Sequence, residues 1–114
     1  MTNGASEQIT HEVAAWPGIE VDTGELGEVA FKVSGREIGH VHGDDVVHFS
    51  FPRTVWDQLR AEGRIVPHPV FPNSRGPGAR ELTTDDDVRD ALELLRFNYD
   101  RVVARRGLPA ESGA

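Results

Sequence analysis

The sequence predicts an α+β domain: an antiparallel meander sheet of three to five strands with helices packed on one face. Three observations carry that expectation. Between Ile19 and Phe51 apolar residues recur at every second position and glycines interrupt the run, the pattern of short antiparallel strands. Between Thr84 and Gly107 they recur at helical spacing. A shorter helical stretch precedes the strands.

The first helix is expected from Glu7 to about Ala15. Ser6 would accept from the free amides of its first turn, and Glu7 suits the positive end of its dipole. Ile9, Val13 and Trp16 form one apolar face, and Pro17-Gly18 ends the helix. In the strand region, Val29, Phe31 and Val33 alternate with Ala30, Lys32 and Ser34 until Gly35 breaks the run. Arg36 to His42, a Gly43-Asp44-Asp45 turn and Val46 to Phe51 complete the meander. A second helix begins near Pro52, turns Val55, Trp56 and Leu59 inward and ends at Gly63. Ile65 to Gly78 holds four prolines and two glycines, so it reads as a loop, followed by a short strand from Ala79 to Leu82.

The last helix has the fullest set of local signals. Thr84 caps it, Asp85, Asp86 and Asp87 fill the first turn, and Arg105-Arg106 fills the last before Gly107. Val88, Ala91, Leu92, Leu95, Tyr99, Val102 and Val103 make its apolar stripe. Its length of roughly 33 Å is enough to cross a small sheet. A single domain results, with an ordered core of about residues 6–106 and loose ends at residues 1–5 and 107–114.

Composition removes several functions. There is no cysteine, hence no disulfide, thiolate metal site or cysteine nucleophile. The net charge of −7 opposes binding to a phosphate backbone, so no nucleic-acid partner is expected. No apolar stretch approaches the ~18 residues of a membrane helix, and Met1–Thr10 has no signal-peptide pattern, so a cytoplasmic location without membrane contact is expected. There is no phosphate-binding glycine loop and no nucleophile elbow. The Asp85–Asp87 run is explained by the helix dipole, and the arginines of the last helix by pairing with Asp90, Glu93 and Asp100.

The chemistry-bearing residues lie elsewhere. Four of the five histidines fall within residues 40–68: His40, His42, His48 and His68. Histidine titrates near neutrality and ligates metals, so such a cluster is a candidate for either task. His40 and His42 share one strand face, about 7 Å apart at the backbone. The position of His48 depends on the hairpin. A two-residue Gly43-Asp44 turn sends it to the opposite face, whereas a three-residue Gly43-Asp44-Asp45 loop pairs it with His40 and gathers three imidazoles. Both loops suit the sequence.

Glu37 and Asp44 are candidates to orient an imidazole, and Phe49 and Trp56 are candidates for the wall of a ligand pocket. Three function classes follow. In the first, His40, His42, His68 and His48 line a pocket that binds a small organic ligand and abstracts a proton from it. In the second, the same four histidines hold one divalent transition metal. In the third, each histidine is a hydrogen-bonded sheet residue and the sheet face docks a protein partner. A long amphipathic last helix and an open sheet edge would also allow a homodimer.

A family resemblance adds to this reading. Ala15-Trp16-Pro17-Gly18, Gly35 through Asp44, Phe51-Pro52, Arg64 through Pro69, Asp87-Val88 and Ala91 through Asp100 resemble, in this order, a luciferase-like domain family of bacteria and archaea, a domain of unknown function. The likeness covers roughly residues 12–102, while Gly24–Glu28 and Pro72–Gly76 depart from the family's usual residues. The family is distantly similar to fungal luciferases, whose Glu-x-x-His-x-His stretch, further strand histidine and later Pro-His step correspond to Glu37, His40, His42, His48 and His68. The resemblance implies a cofactor-independent oxygenase. A histidine would deprotonate an electron-rich hydroxypyrone, another would hold the oxyanion, and dioxygen would add to the resulting anion.

Overall fold

The computed structural model describes residues 4–109. Helix α1 (Ala5–Ala14) precedes four strands, β1 (Ile19–Thr23), β2 (Val29–Val33), β3 (Arg36–His42) and β4 (Val46–Ser50). Helix α2 (Arg53–Ala61), strands β5 (Val66–Pro67) and β6 (Pro77–Glu81) and helix α3 (Asp85–Arg106) follow. The strands form one six-stranded antiparallel sheet in the order β1-β2-β3-β4-β6-β5. The sheet is thus larger than the three to five strands expected. The extra strand is β5, inside the segment that reads as a loop, and β6 begins at Pro77 rather than Ala79. Two residues are too short for a period to show, and Pro67 sits on the outer edge, where its missing N–H costs no ladder bond.

Paired residues share a face, so register assigns the two sides of the sheet. Phe31, Val41, Val47 and Phe49 point toward the helices and join Ile9, Val13, Leu59, Leu94 and Leu95 in the core. On the other side a row of paired positions runs Ala30, His40, His48, Ala79, Val66 across five strands. Helix α3 comes close because Gly39 lacks a side chain. A Cβ there would lie 2.6 Å from Leu95 Cδ2 and 3.0 Å from the His48 carbonyl oxygen.

The helix ends follow local chemistry. Thr84 and Asp87 form a reciprocal capping box at the start of α3, which ends at Arg106 as expected. Helix α2 closes with Gly63 at φ 75°, its N–H donating to the Arg60 carbonyl while Arg64 N–H donates to that of Leu59, a Schellman arrangement. Helix α1 departs from expectation. It starts at Ala5 after Gly4, no side chain caps it from within, and Ser6 lies inside the first turn. The free Ser6 N–H instead donates to Asp44 Oδ1 at 2.9 Å, from a turn far along the chain. The expectation of loose ends falls partly on residues 1–3 and 110–114, outside the described residues; Ala5 itself is buried. Among the described residues no helix is long and apolar enough to cross a membrane.

Candidate functional site

The β3–β4 hairpin takes the three-residue loop. His40 pairs with His48 and His42 with Val46, leaving Gly43-Asp44-Asp45 as the turn. Three imidazoles therefore gather on the face away from the helices. Ring centroids lie 4.8 Å apart for His40 and His42, 5.2 Å for His40 and His48, and 4.6 Å for His42 and His48. One nitrogen of each of these rings lies within 4.8 Å of the other two. His68, carried back over the sheet by the segment after β5, places its ring 4.2 Å from that of His48.

Glu37 reaches this face through an irregularity in β3. In a regular strand, positions 37 and 40 point to opposite sides. Here Glu37 pairs with Lys32 and Gly39 with Phe31, so Ile38 is an extra residue, a β-bulge. The bulge sends Ile38 into the core and puts Glu37 on the face of His40. Its Oε2 lies 2.8 Å from His40 Nδ1. A carboxylate only accepts, so Nδ1 carries the hydrogen and donates it, leaving Nε2 with a free lone pair. That bond is the main reason the Glu37 carboxyl sits below its usual range.

The β3–β4 pairing stops at His40–His48. Asn98, buried on α3, donates from Nδ2 to the carbonyls of Ile38 at 3.1 Å and Ser50 at 3.2 Å. It thereby joins β3 to β4 where their own pairing has ended. Sequence reading missed this residue. The available signal was an amide three positions after Leu95 and four before Val102, inside an apolar stripe.

The other imidazoles differ in environment. His48 is 8% exposed, and burial, followed by the neighbouring His68, His42 and His40, lowers its pKa to about 4. Its buried Nδ1 has no hydrogen-bond partner among the described residues. His68 is lowered as well, by burial first and then by His40 and His42. His68 Nδ1 accepts from the Val70 N–H at 3.1 Å, so in the neutral ring the hydrogen resides on Nε2. Beside His48 lies an open cavity of about 600 Å³, lined by the apolar Val46, Val66, Pro67, Pro69, Ala79 and Leu82 and by Asp45, Glu81 and Thr83; His40, His42 and His68 do not border it. None of these wall residues stood out in the sequence.

The remaining candidates lie away from this face. Phe49 points into the core between sheet and helices, and the Trp56 indole N–H donates to the Pro77 carbonyl at 2.9 Å on the helix side. Neither lines the cavity beside His48. Asp44 supports α1 through Ser6. The structure thus brings together Glu37, His40, His42, His48 and His68, and leaves Asp44, Phe49 and Trp56 to the framework.

The Luciferase domain family matches residues 35–98. That span runs from the turn before β3 into α3 and contains the whole histidine face, the bulge and Asn98. No curated protein and no solved structure matches the chain.

Proposed function

The chain belongs to the Luciferase domain family, and from that premise we propose that its histidine face binds a small organic ligand and removes a proton from it. The Glu37–His40 pair carries this reading. A carboxylate on Nδ1 fixes the imidazole so that Nε2 is the basic nitrogen, and it stabilises the imidazolium that proton transfer creates. His40 is therefore the base. His48, kept neutral by burial, is too weakly basic for that role and serves as part of the floor.

The cavity beside His48 takes the apolar body of the ligand; its volume lies in the range of small-molecule sites. An acidic hydroxyl of a pyrone-like ring is the substrate group that suits a neutral imidazole. The O–H bond breaks, the proton passes to Nε2, and the electron pair remains on the ligand as an enolate. Dioxygen is the oxidant: the electron-rich carbon of the enolate adds to it, giving a peroxide. The Nε2–H of His68 is a donor for the developing oxyanion.

The test uses tag-free, chelator-treated protein and a 4-hydroxy-2-pyrone, with calorimetry for binding and an oxygen electrode for turnover. His40→Ala should lower the rate by about 10²–10⁴-fold, the usual contribution of a general base. Ligand-dependent oxygen uptake that persists unchanged in His40→Ala would overturn the assignment.

A further inference from the structure

We propose that His40, His42 and His48 also form a site for one divalent transition-metal cation, in which Glu37 is a positioning residue and His68 is not a ligand. A cation on His40 Nε2 and a transferable proton there exclude each other. The site therefore goes beyond the base reading and controls it, with the bound metal silencing proton abstraction.

Three observations converge on this site. First, the three rings project from two adjacent strands whose pairing is fixed at His40–His48, and their nearest nitrogens lie within 4.8 Å of one another. Metal–nitrogen bonds of about 2.0–2.1 Å in a tetrahedron set ligand nitrogens about 3.3 Å apart, so rotation of the side chains closes the site without moving the ladder. Second, a buried nitrogen of His48 has no partner among the described residues, an unsatisfied polar atom of the kind that a bound ion explains. Third, metal-bound histidines commonly donate their other ring N–H to a carboxylate, which fixes the tautomer and raises ligand basicity. Glu37 accepts in this way from His40 Nδ1.

His68 is set apart by its own hydrogen bond. With Nδ1 occupied by the Val70 N–H, its Nε2 carries a hydrogen, and ligation through Nε2 would turn two N–H groups against each other. Three neutral imidazoles and no thiolate select zinc, cobalt, nickel, copper or ferrous iron over calcium and magnesium, which take oxygen ligands. With three protein ligands, a fourth position stays open toward solvent.

Cobalt(II) is the probe, titrated into tag-free, chelator-treated protein and followed by visible absorption and calorimetry. One equivalent should bind. Affinity should fall more than about 100-fold in His42→Ala and in His40→Ala, fall about 10–100-fold in Glu37→Gln, and stay within about threefold of the parent in His68→Ala. Circular dichroism of each variant separates a lost ligand from a lost fold, and His42 is only partly buried, so that variant is the decisive one. No saturable cobalt binding by the parent, or parent-like binding in His42→Ala, would overturn the site; a loss in His68→Ala as large as in His42→Ala would overturn the ligand set. Cobalt binding without hydroxypyrone binding removes the base reading and leaves the metal site standing. Hydroxypyrone turnover without cobalt binding does the reverse.

Discussion

Asn98 and Ile38 show how one polar side chain holds the site in shape. Ile38 is the inserted residue of the bulge, and without the bulge Glu37 and His40 would face opposite sides of the sheet. Asn98 accepts the cost of sitting 2% exposed because its amide satisfies carbonyls on β3 and β4 and its Oδ1 accepts from Arg101. Asn98→Leu keeps much of the volume but leaves the Ile38 and Ser50 carbonyls without their partner. At roughly 1–3 kcal/mol per orphaned group, chemical denaturation should show a loss of about 2–6 kcal/mol. A variant as stable as the parent would mean that water or relaxation of the bulge replaces the amide.

At the scale of elements, α3 is anchored at its start by the same carboxylate that caps it. Asp87 accepts from Thr83 and Thr84 and pairs with Arg80, which also meets Asp90 at 3.2 Å. Burial opposes ionisation of Asp87, but these hydrogen bonds outweigh it and hold the carboxyl well below its usual range. The folded state therefore resists taking a proton that the unfolded chain accepts near pH 4, at the ordinary Asp value of about 3.9. The associated stability is present above that value and is lost as pH falls below it. Thermal unfolding between pH 5 and pH 2 should show this decline, with a smaller slope in Asp87→Asn. At pH 7 that variant should be destabilised by about 1–3 kcal/mol, as a cap and a half-buried ion-pair partner are both removed. Equal slopes in the two proteins would assign the acid sensitivity to other carboxylates.

At the scale of the molecule, the sheet has two edges, and both are poor templates for another strand. On β1, antiparallel self-pairing about Val21 would set Glu20 opposite Asp22 of a second copy, like charge against like. On the far side β5 offers only two residues, one of them Pro67. Sedimentation at about 100 μM should accordingly find a monomer. Replacing Glu20 and Asp22 together by threonine should promote association, and a parent protein that is already dimeric would show that another surface makes the contact. The chain covers one sheet face with three helices and leaves the other to the histidines and the segment around His68, so framework and candidate chemistry occupy opposite sides.

What the sequence determined by itself were the features written in short-range chemistry. Thr84, the aspartates after it and Arg105-Arg106 delimit α3, since a helix bonds each residue to one four positions away and its ends are capped by near neighbours. The alternation from Val29 to Val33 and the histidine-rich stretch were equally legible, as was the family likeness. The tertiary structure decided which side of the sheet each strand residue faces. Face depends on parity, and parity changes with one residue: a third residue in the hairpin loop brings His48 beside His40, and the extra Ile38 brings Glu37 to the same side. The fate of Asp44, Phe49 and Trp56, all taken into the framework, followed from partners 20 or more positions away. Those pairings become favourable only when the whole sheet closes against its helices, which is why local pattern could name the imidazoles but not gather them.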